Sequence, residues 1–248
     1  DINRRALEAI EPHIRPGVHT SELNAVAEDA ILSAGGTPAF KGYRGFPAAL
    51  CTSVNEVVVH GIPDERPLRE GDIVSVDIGT FYQGYAADMA KTYPVGEVSD
   101  EAKHLLEVTE RSLAAGIEAA QAGSRLGDVS AAIQKVVEAA GFWVVREFVG
   151  HGIGRDFHES PEVPNYGRAG TGPVLRPGLV LAIEPMVTES RTRVLVLEDE
   201  WTAPTANGCL AAHFEHTVAI TENGPRTLSA RAAEPRQAVT AKGGTNGA

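Results

Sequence analysis

The apolar positions of this chain change period in blocks. Val129, Ala132, Ile133, Val136 and Val137 recur at three- and four-residue intervals, which predicts a helix over 127–140 that Gly141 stops. Farther on, strict alternation takes over. It puts Phe214, His216, Val218 and Ile220 on one face of a strand over 211–220, and His213, Glu215, Thr217 and Ala219 on the other. The same reading predicts helices near 3–12, 20–34 and 99–121, with strands through 48–60, 72–79, 84–94, 143–149, 179–187 and 193–198. Helices and antiparallel strands come in blocks, so the expected class is α+β. No GxGxxG follows a strand, which leaves a nucleotide-binding reading without support.

The pattern repeats once. PGVHTSELNAVAEDAILSAGG (16–36) resembles AGSRLGDVSAAIQKVVEAAGF (122–142), a shift of 106 residues. LREGDIVSVDIG (68–79) aligns with LRPGLVLAIEPM (175–186) at a shift of 107, matching Gly71 to Gly178 and Asp77 to Glu184. Chance similarity between Ala/Gly-rich helices is the competing explanation for the first pair. A matched carboxylate is harder to obtain by chance. A true repeat predicts two halves, about 10–120 and 121–228, related by a pseudo-twofold and sharing a central site. The whole of 1–229 is then one domain, and the small, polar, Gly-rich stretch 230–248 is expected to be a flexible tail.

Asp77, Asp88, Glu184 and Glu215 each interrupt an apolar strand, and His151 sits in the glycine-rich GHGIG. A carboxylate in such surroundings is costly unless something neutralises it. No run of Arg or Lys lies beside these strands, so two divalent ions are the expected counter-charge. Dinuclear sites of this kind commonly perform hydrolysis. Asp77 and Asp88 are 11 residues apart around a midpoint at Tyr82–Gln83. A hairpin turning there predicts the two carboxylates almost opposite each other, roughly 5 Å apart at Cβ. Solvent-facing aspartates on an edge hairpin are the alternative for that pair alone.

Net charge is −11, from 22 basic and 33 acidic residues, which argues against a broad nucleic-acid-binding surface. Two cysteines, Cys51 and Cys209, provide neither a disulfide framework nor a Cys-based zinc site, and point to a reducing compartment. No apolar run reaches membrane-span length and no signal peptide is expected at the start. The sequence opens at Asp1 without methionine, so upstream residues are expected to have been lost or removed.

Around the carboxylates, His158 follows His151 by seven residues, which is not HExxH spacing. One neutral imidazole can ligate a metal while a second donates a hydrogen bond to a developing oxyanion. His60 ends the β-rich run NEVVVHGIP, where a water-facing strand end is the alternative. His13, His19 and His104 read as solvated, while His213 and His216 flank Glu215 and remain open. Phe40, Tyr43, Phe46, Cys51, Phe157 and Trp201 are candidates for a substrate pocket, against the general expectation that such residues pack a core.

GFPAALCTSVNEVVVHGIPD (45–64), VSVDIG with AADMA, FVGHGIGRDFHESPEVPNYG (148–167), LAIEPM and HFEHTV together resemble the type I methionine aminopeptidases over roughly 10–228. The resemblance implies the pita-bread fold shared with creatinase, pseudo-twofold halves around an antiparallel sheet, and two divalent ions (Co, Mn, Fe or Zn). It implies that Asp77 and Asp88 hold one ion, that Asp88 and Glu215 bridge both, and that His151 and Glu184 complete the second. Catalytic roles fall to His60, His158 and Glu184. His60 and His158 also contact substrate, and Tyr43, Phe46, Cys51, Phe157 and Trp201 match the family's methionine pocket. Phe40 stands where one well-known branch has cysteine and Arg44 where it has histidine, which puts the pocket mouth in question. The lack of a long insertion between His158 and Glu184 argues against the type II form.

The implied activity is removal of the initiator methionine from nascent polypeptides in the cytoplasm, by a monomer that prefers a small second residue. A hydroxide bridging the two metals is the implied nucleophile. The ribosome is a candidate partner, and no membrane partner is expected. Two other functions compete. A proline-directed relative usually carries an extra amino-terminal domain. A non-catalytic pita-bread binding module typically loses the metal ligands.

Overall fold

The computed structural model describes residues 1–230; the stretch expected to be a tail lies almost wholly outside them. Its elements are α1 (Ile2–Ile10), α2 (Thr20–Ser33), β1 (Thr37–Pro38), β2 (Leu50–Val54), β3 (Val57–Val59), β4 (Ile73–Tyr82) and β5 (Tyr85–Pro94). Then follow α3 (Asp100–Ala119), α4 (Leu126–Ala139), β6 (Trp143–Val144), β7 (Gly150–Gly152), β8 (Glu159–Val163) and β9 (Val180–Ile183). The last are β10 (Met186–Thr188), β11 (Ala203–Pro204), β12 (Ala211–His213), β13 (Glu215–Thr221) and β14 (Gly224–Thr227).

Nine strands form one sheet in the order β1-β4-β5-β13-β9-β7-β8, with β2 on β4 and β14 on β13. Every pairing in it is antiparallel. One face is covered by helices. Val74, Val76 and Ile78 of β4 and Met89 of β5 pack with Leu7, Ile10, Leu23 and Ile31 of α1 and α2. Phe214 and, from β13, Val218 and Ile220 pack with Leu105, Leu113, Val129 and Ile133 of α3 and α4. Helix starts follow local chemistry: Ser99 Oγ accepts from Ala102 N at 3.1 Å, with Asp100 and Glu101 in the first turn of α3. Asp128 accepts from Arg125 N at 2.7 Å at the start of α4.

The residues aligned by the sequence repeat make matching contacts. Gly17 N donates to Leu68 O at 2.7 Å, and Gly123 N donates to Leu175 O at 2.8 Å. Isolated bridges join His19 to Pro67 and Arg125 to Val174. Both α2 and α4 are 14 residues long.

The structure departs from the sequence reading in particular places. The segment over 48–60 breaks at Asn55, whose φ is +54°, into β2 and β3. Only Trp143–Val144 of the 143–149 segment forms a strand. The 193–198 segment makes one bridge, Val194 to Thr205, and leaves Leu195, Val196 and Leu197 exposed. Pro185 divides the 179–187 segment into β9 and β10, because proline offers no N–H to a ladder.

Candidate metal centre

Strand register decides which side chains share the face opposite the helices. His151 pairs with Ala182, and Ala182 pairs with Thr217. Glu215 is two residues from Thr217 and pairs with Ala90, which pairs with Asp77. Asp88 is two residues from Ala90, and Glu184 two from Ala182. Side chains alternate with period two, so all five fall on one side. The hairpin expectation needs correcting here. Asp88 lies across from Gly79, and Asp77 across from Ala90. The turn is Gln83–Gly84, with φ of +51° and +80°, one residue later than the midpoint between the aspartates. The carboxylates are therefore diagonal neighbours on the same face instead of direct partners.

His151 is held by close backbone packing. A Cβ at Gly150 would stand 2.3 Å from Ala182 O, and one at Gly152 2.3 Å from Ser160 O. Glycine on both sides is thus needed for β7 to sit between β9 and β8. His151 Nδ1 lies 2.8 Å from Gly152 O, which fixes the proton on Nδ1 and leaves Nε2 as an acceptor. That Nε2 is 3.6 Å from Glu184 Oε1 and 3.8 Å from Asp88 Oδ2. Asp88, His151 and Glu215 present donor atoms within 4.8 Å of one another, and so do Glu184, His213 and Glu215.

Among the described residues no Lys or Arg pairs with these carboxylates; only histidine rings approach them. Asp88 and Glu215 are buried, while Asp77 and Glu184 open partly onto a cavity. Burial pushes Asp77 up to about 6 and Glu184 up to about 7. Asp88 and Glu215 rise well above the usual carboxylate range, through burial and then mutual repulsion. Asp77 Oδ1 and Glu215 Oε1 are buried without hydrogen-bond partners. Orphaned carboxylate oxygens around a shared centre fit divalent cations, which these hard oxygen and imidazole donors bind well. Thr217 braces the set: its Oγ1 accepts from Asp88 N at 3.0 Å and donates to Asp88 O at 2.7 Å. Asn165 Nδ2 donates to Glu184 O at 2.9 Å.

Above these residues opens a cavity of about 580 Å³. Asp77, Asp88, His151 and Glu184 face into it together with Tyr43, Phe46, Cys51, His60, Phe157, His158 and Trp201. Phe157 packs edge-on against Phe40 at 5.4 Å between ring centres, and Phe46 against Trp201 at 5.1 Å. Tyr43 Oη lies 2.9 Å from His158 Nδ1, and the His151 and His158 rings are 4.3 Å apart. His60, at φ +60°, meets Phe148 and Trp201 edge-on. Burial lowers both His60 and His158 to about 4, so both rings are neutral at pH 7. Arg44 is exposed at the mouth, its guanidinium 5.4 Å from the centre of the Tyr43 ring. Glu200, Phe148 and Val149 also line the cavity. Sequence reasoning passed over all three, because nothing in their local pattern points to a pocket.

The sequence profile of metallopeptidase family M24 matches residues 1–222. Methionine aminopeptidase 1 of Bacillus subtilis is 54% identical over 217 residues, covering 88% of each chain. Methionine aminopeptidase of Escherichia coli K12 is 42% identical over 227 residues, covering 91% of this chain and 86% of its own. The crystal structure of the Thermotoga maritima methionine aminopeptidase superposes with a TM-score of 0.91 at 49% identity, covering 93% of each chain. A prolidase from Pyrococcus furiosus shares the fold at a TM-score of 0.73 and 23% identity, covering 93% of this chain and 61% of that one.

Proposed function

This chain belongs to metallopeptidase family M24 and within it to the methionine aminopeptidases, and we propose that Asp77, Asp88, His151, Glu184 and Glu215 hold two divalent metal ions at the floor of its cavity. Its fold is the pita-bread α+β fold of that family. It is a metal-dependent hydrolase that removes an N-terminal methionine. One observation carries the ligand assignment: four inward-facing carboxylates share one face of the sheet, with two of their oxygens unpartnered. The ions themselves would be Co, Mn, Fe or Zn. A single catalytic domain through 229, with halves about 10–120 and 121–228, is supported by the matching contacts of Gly17 with Leu68 and Gly123 with Leu175.

Bound there, the ions would supply Lewis acidity, acidifying water and polarising the scissile carbonyl. The chain's own groups do the rest. Phe46, Phe157, Cys51 and Trp201 offer an apolar wall suited to an unbranched thioether. His158, neutral and oriented through Nδ1 by Tyr43, turns Nε2 toward developing charge on the carbonyl oxygen. Glu184 takes a proton from the attacking water on a carboxylate oxygen and delivers it to the leaving amine. His60 crowds the second residue of the substrate, favouring small side chains there.

Substrates on this reading are nascent polypeptide N-termini, met in the cytoplasm by a monomer working near the ribosome. Both cysteines are free thiols, which suits that compartment. Among the described residues no helix is long and apolar enough to cross a membrane.

The test is release of one methionine from Met-Ala-Ser, read by mass spectrometry with each of the four metals, beside an Xaa-Pro peptide. Methionine release with at least one metal, and its near loss in Glu184→Gln, is expected. No release with any metal, or normal turnover by Glu184→Gln, would overturn the assignment.

A further inference from the structure

Glu184 faces two imidazoles, one with each oxygen. Its Oε1 is 3.6 Å from His151 Nε2, and its Oε2 is 3.4 Å from His213 Nε2. His213 is only 1% exposed, and its Nε2 has no hydrogen-bond partner. The approach to Glu184 does not meet hydrogen-bond geometry. A buried ring nitrogen left unpaired is expensive, and a native core rarely keeps one without use.

The backbone that carries this ring is held by buried contacts. Ser75 Oγ lies 2.8 Å from Thr92 Oγ1, which donates to His213 O at 2.8 Å and accepts from His213 N at 2.9 Å. The adjoining residue Met186 pairs with His213 in the β10–β12 ladder. The His213 backbone therefore cannot move away from Glu184 without breaking a strand pairing and a buried hydroxyl chain.

We propose that His213 Nε2 is a further metal ligand, placing a second imidazole on the Glu184–Glu215 side of the centre. The proposal rests on the reading that the five-residue set holds divalent ions. Donors at about 2.0–2.2 Å from one ion lie about 2.8–3.1 Å apart in a cis octahedral arrangement and about 3.3–3.6 Å apart in a tetrahedral one. The 3.4 Å between His213 Nε2 and Glu184 Oε2 falls within the tetrahedral spacing. A neutral ring adds a bond without charge, so four carboxylates still balance two dications. Its chemical consequence is selectivity. Added imidazole favours cobalt, iron, nickel and zinc relative to manganese and magnesium. The rival role is a hydrogen bond that steadies Glu184 from outside the coordination sphere.

The two roles separate in the full-length chain stripped with EDTA and titrated calorimetrically with Co²⁺ and with Mn²⁺, as wild type and as His213→Gln. Proton NMR of the Co²⁺-loaded forms counts ligating rings, because each contributes one hyperfine-shifted, exchangeable N–H. Two such signals are expected in the wild type and one in His213→Gln. Co²⁺ affinity should fall about tenfold or more in the variant, with a smaller fall for Mn²⁺. A single shifted N–H in the wild type, or equal weakening of both metals, would refute ligation by His213. A wild type that binds Co²⁺ with no shifted N–H would instead refute the underlying five-residue centre, and this proposal with it. If His213→Gln does not fold, the wild-type signal count still decides.

Discussion

Gly79, not Asp77, is the residue directly across the hairpin from Asp88. A Cβ at that position would stand 2.6 Å from Phe157 Cε2 and 2.8 Å from Phe40 Cε1. The absent side chain is what allows two aromatic rings to lie over the β4–β5 hairpin and wall the cavity beside the aspartates. Gly79→Ala should therefore push Phe157 into the pocket while leaving every carboxylate in place. Overpacking of this kind costs about 1–3 kcal/mol. The expected outcome is a KM for Met-Ala-Ser raised about tenfold or more, with unchanged metal stoichiometry by calorimetry. An unaltered KM would show that the aromatic wall does not contact the methionine side chain.

Tyr43 supplies a second test of the cavity wall. Its hydroxyl lies 2.9 Å from Nδ1 of the His158 ring. Tyr43→Phe keeps the aromatic packing against Phe157 and removes only that contact. A neutral hydrogen bond is worth about 0.5–1.5 kcal/mol, or roughly twofold to tenfold in rate. kcat should fall by that amount with KM and thermal midpoint nearly constant, and His158→Ala should lose more. Equal losses in the two variants would mean that orientation through Tyr43 is all His158 needs.

The sequence revealed most of this site because each carboxylate broke a strong apolar pattern. Asp77 in VSVDIG and Glu215 in HFEHTV stand out as charge in strands whose other residues are largely buried. The helices α2 and α4 were legible for the same reason, since their apolar spacing repeats over 14 residues each. Register was not legible. Moving the turn one residue, to Gln83–Gly84, shifts the partner of Asp88 by two and converts an opposed pair into a diagonal one. A short apolar run also misled: Val194 to Leu197 is apolar without a break, like a buried strand, yet it forms one bridge, Val194 to Thr205, with two more backbone hydrogen bonds to Thr202 and Pro204, and lies on the surface instead of in the sheet. The aim of His213 depends on Glu184, 29 positions earlier, and no local pattern could report that distance.

Isosteric neutralisation of a ligand should separate stability from function. Asp88 is 4% exposed, and its Oδ1 already accepts from Met89 N at 2.9 Å. Asp88→Asn keeps that acceptor and removes a buried charge repelled by Asp77 and Glu184. Replacing a buried charge that lacks a partner commonly gains about 1 kcal/mol or more. In EDTA at pH 8 the variant should melt several degrees above the wild type. With metal added the order should reverse, because only the wild type gains binding energy. A variant less stable than the wild type in EDTA would mean that Asp88 is well solvated or paired without metal.

The pH dependence of the metal-free protein follows from two opposed sets of groups. His60 and His158, lowered to about 4, hold fewer protons folded than unfolded, so their contribution is lost as pH falls from about 6.5 toward 4. Asp77 and Glu184, raised to about 6 and 7, hold more protons folded. Their contribution is full below about pH 4 and is lost as pH rises through 6 and 7. Asp88 and Glu215 shift the same way and add to that loss. The two sets oppose each other below pH 6.5. Above it the histidines are neutral in both states, while Glu184, at about 7, still gives up its folded-state proton. Denaturant unfolding of the EDTA-treated protein should therefore show stability falling between pH 6 and 8, by at most about 1.4 kcal/mol per pH unit for each extra proton held. Saturating metal should flatten or invert that slope, since ligation requires the deprotonated carboxylates. A metal-free protein equally stable at pH 6 and 8 would mean that Glu184 is already ionised at pH 6, and that the centre is preorganised without the cations.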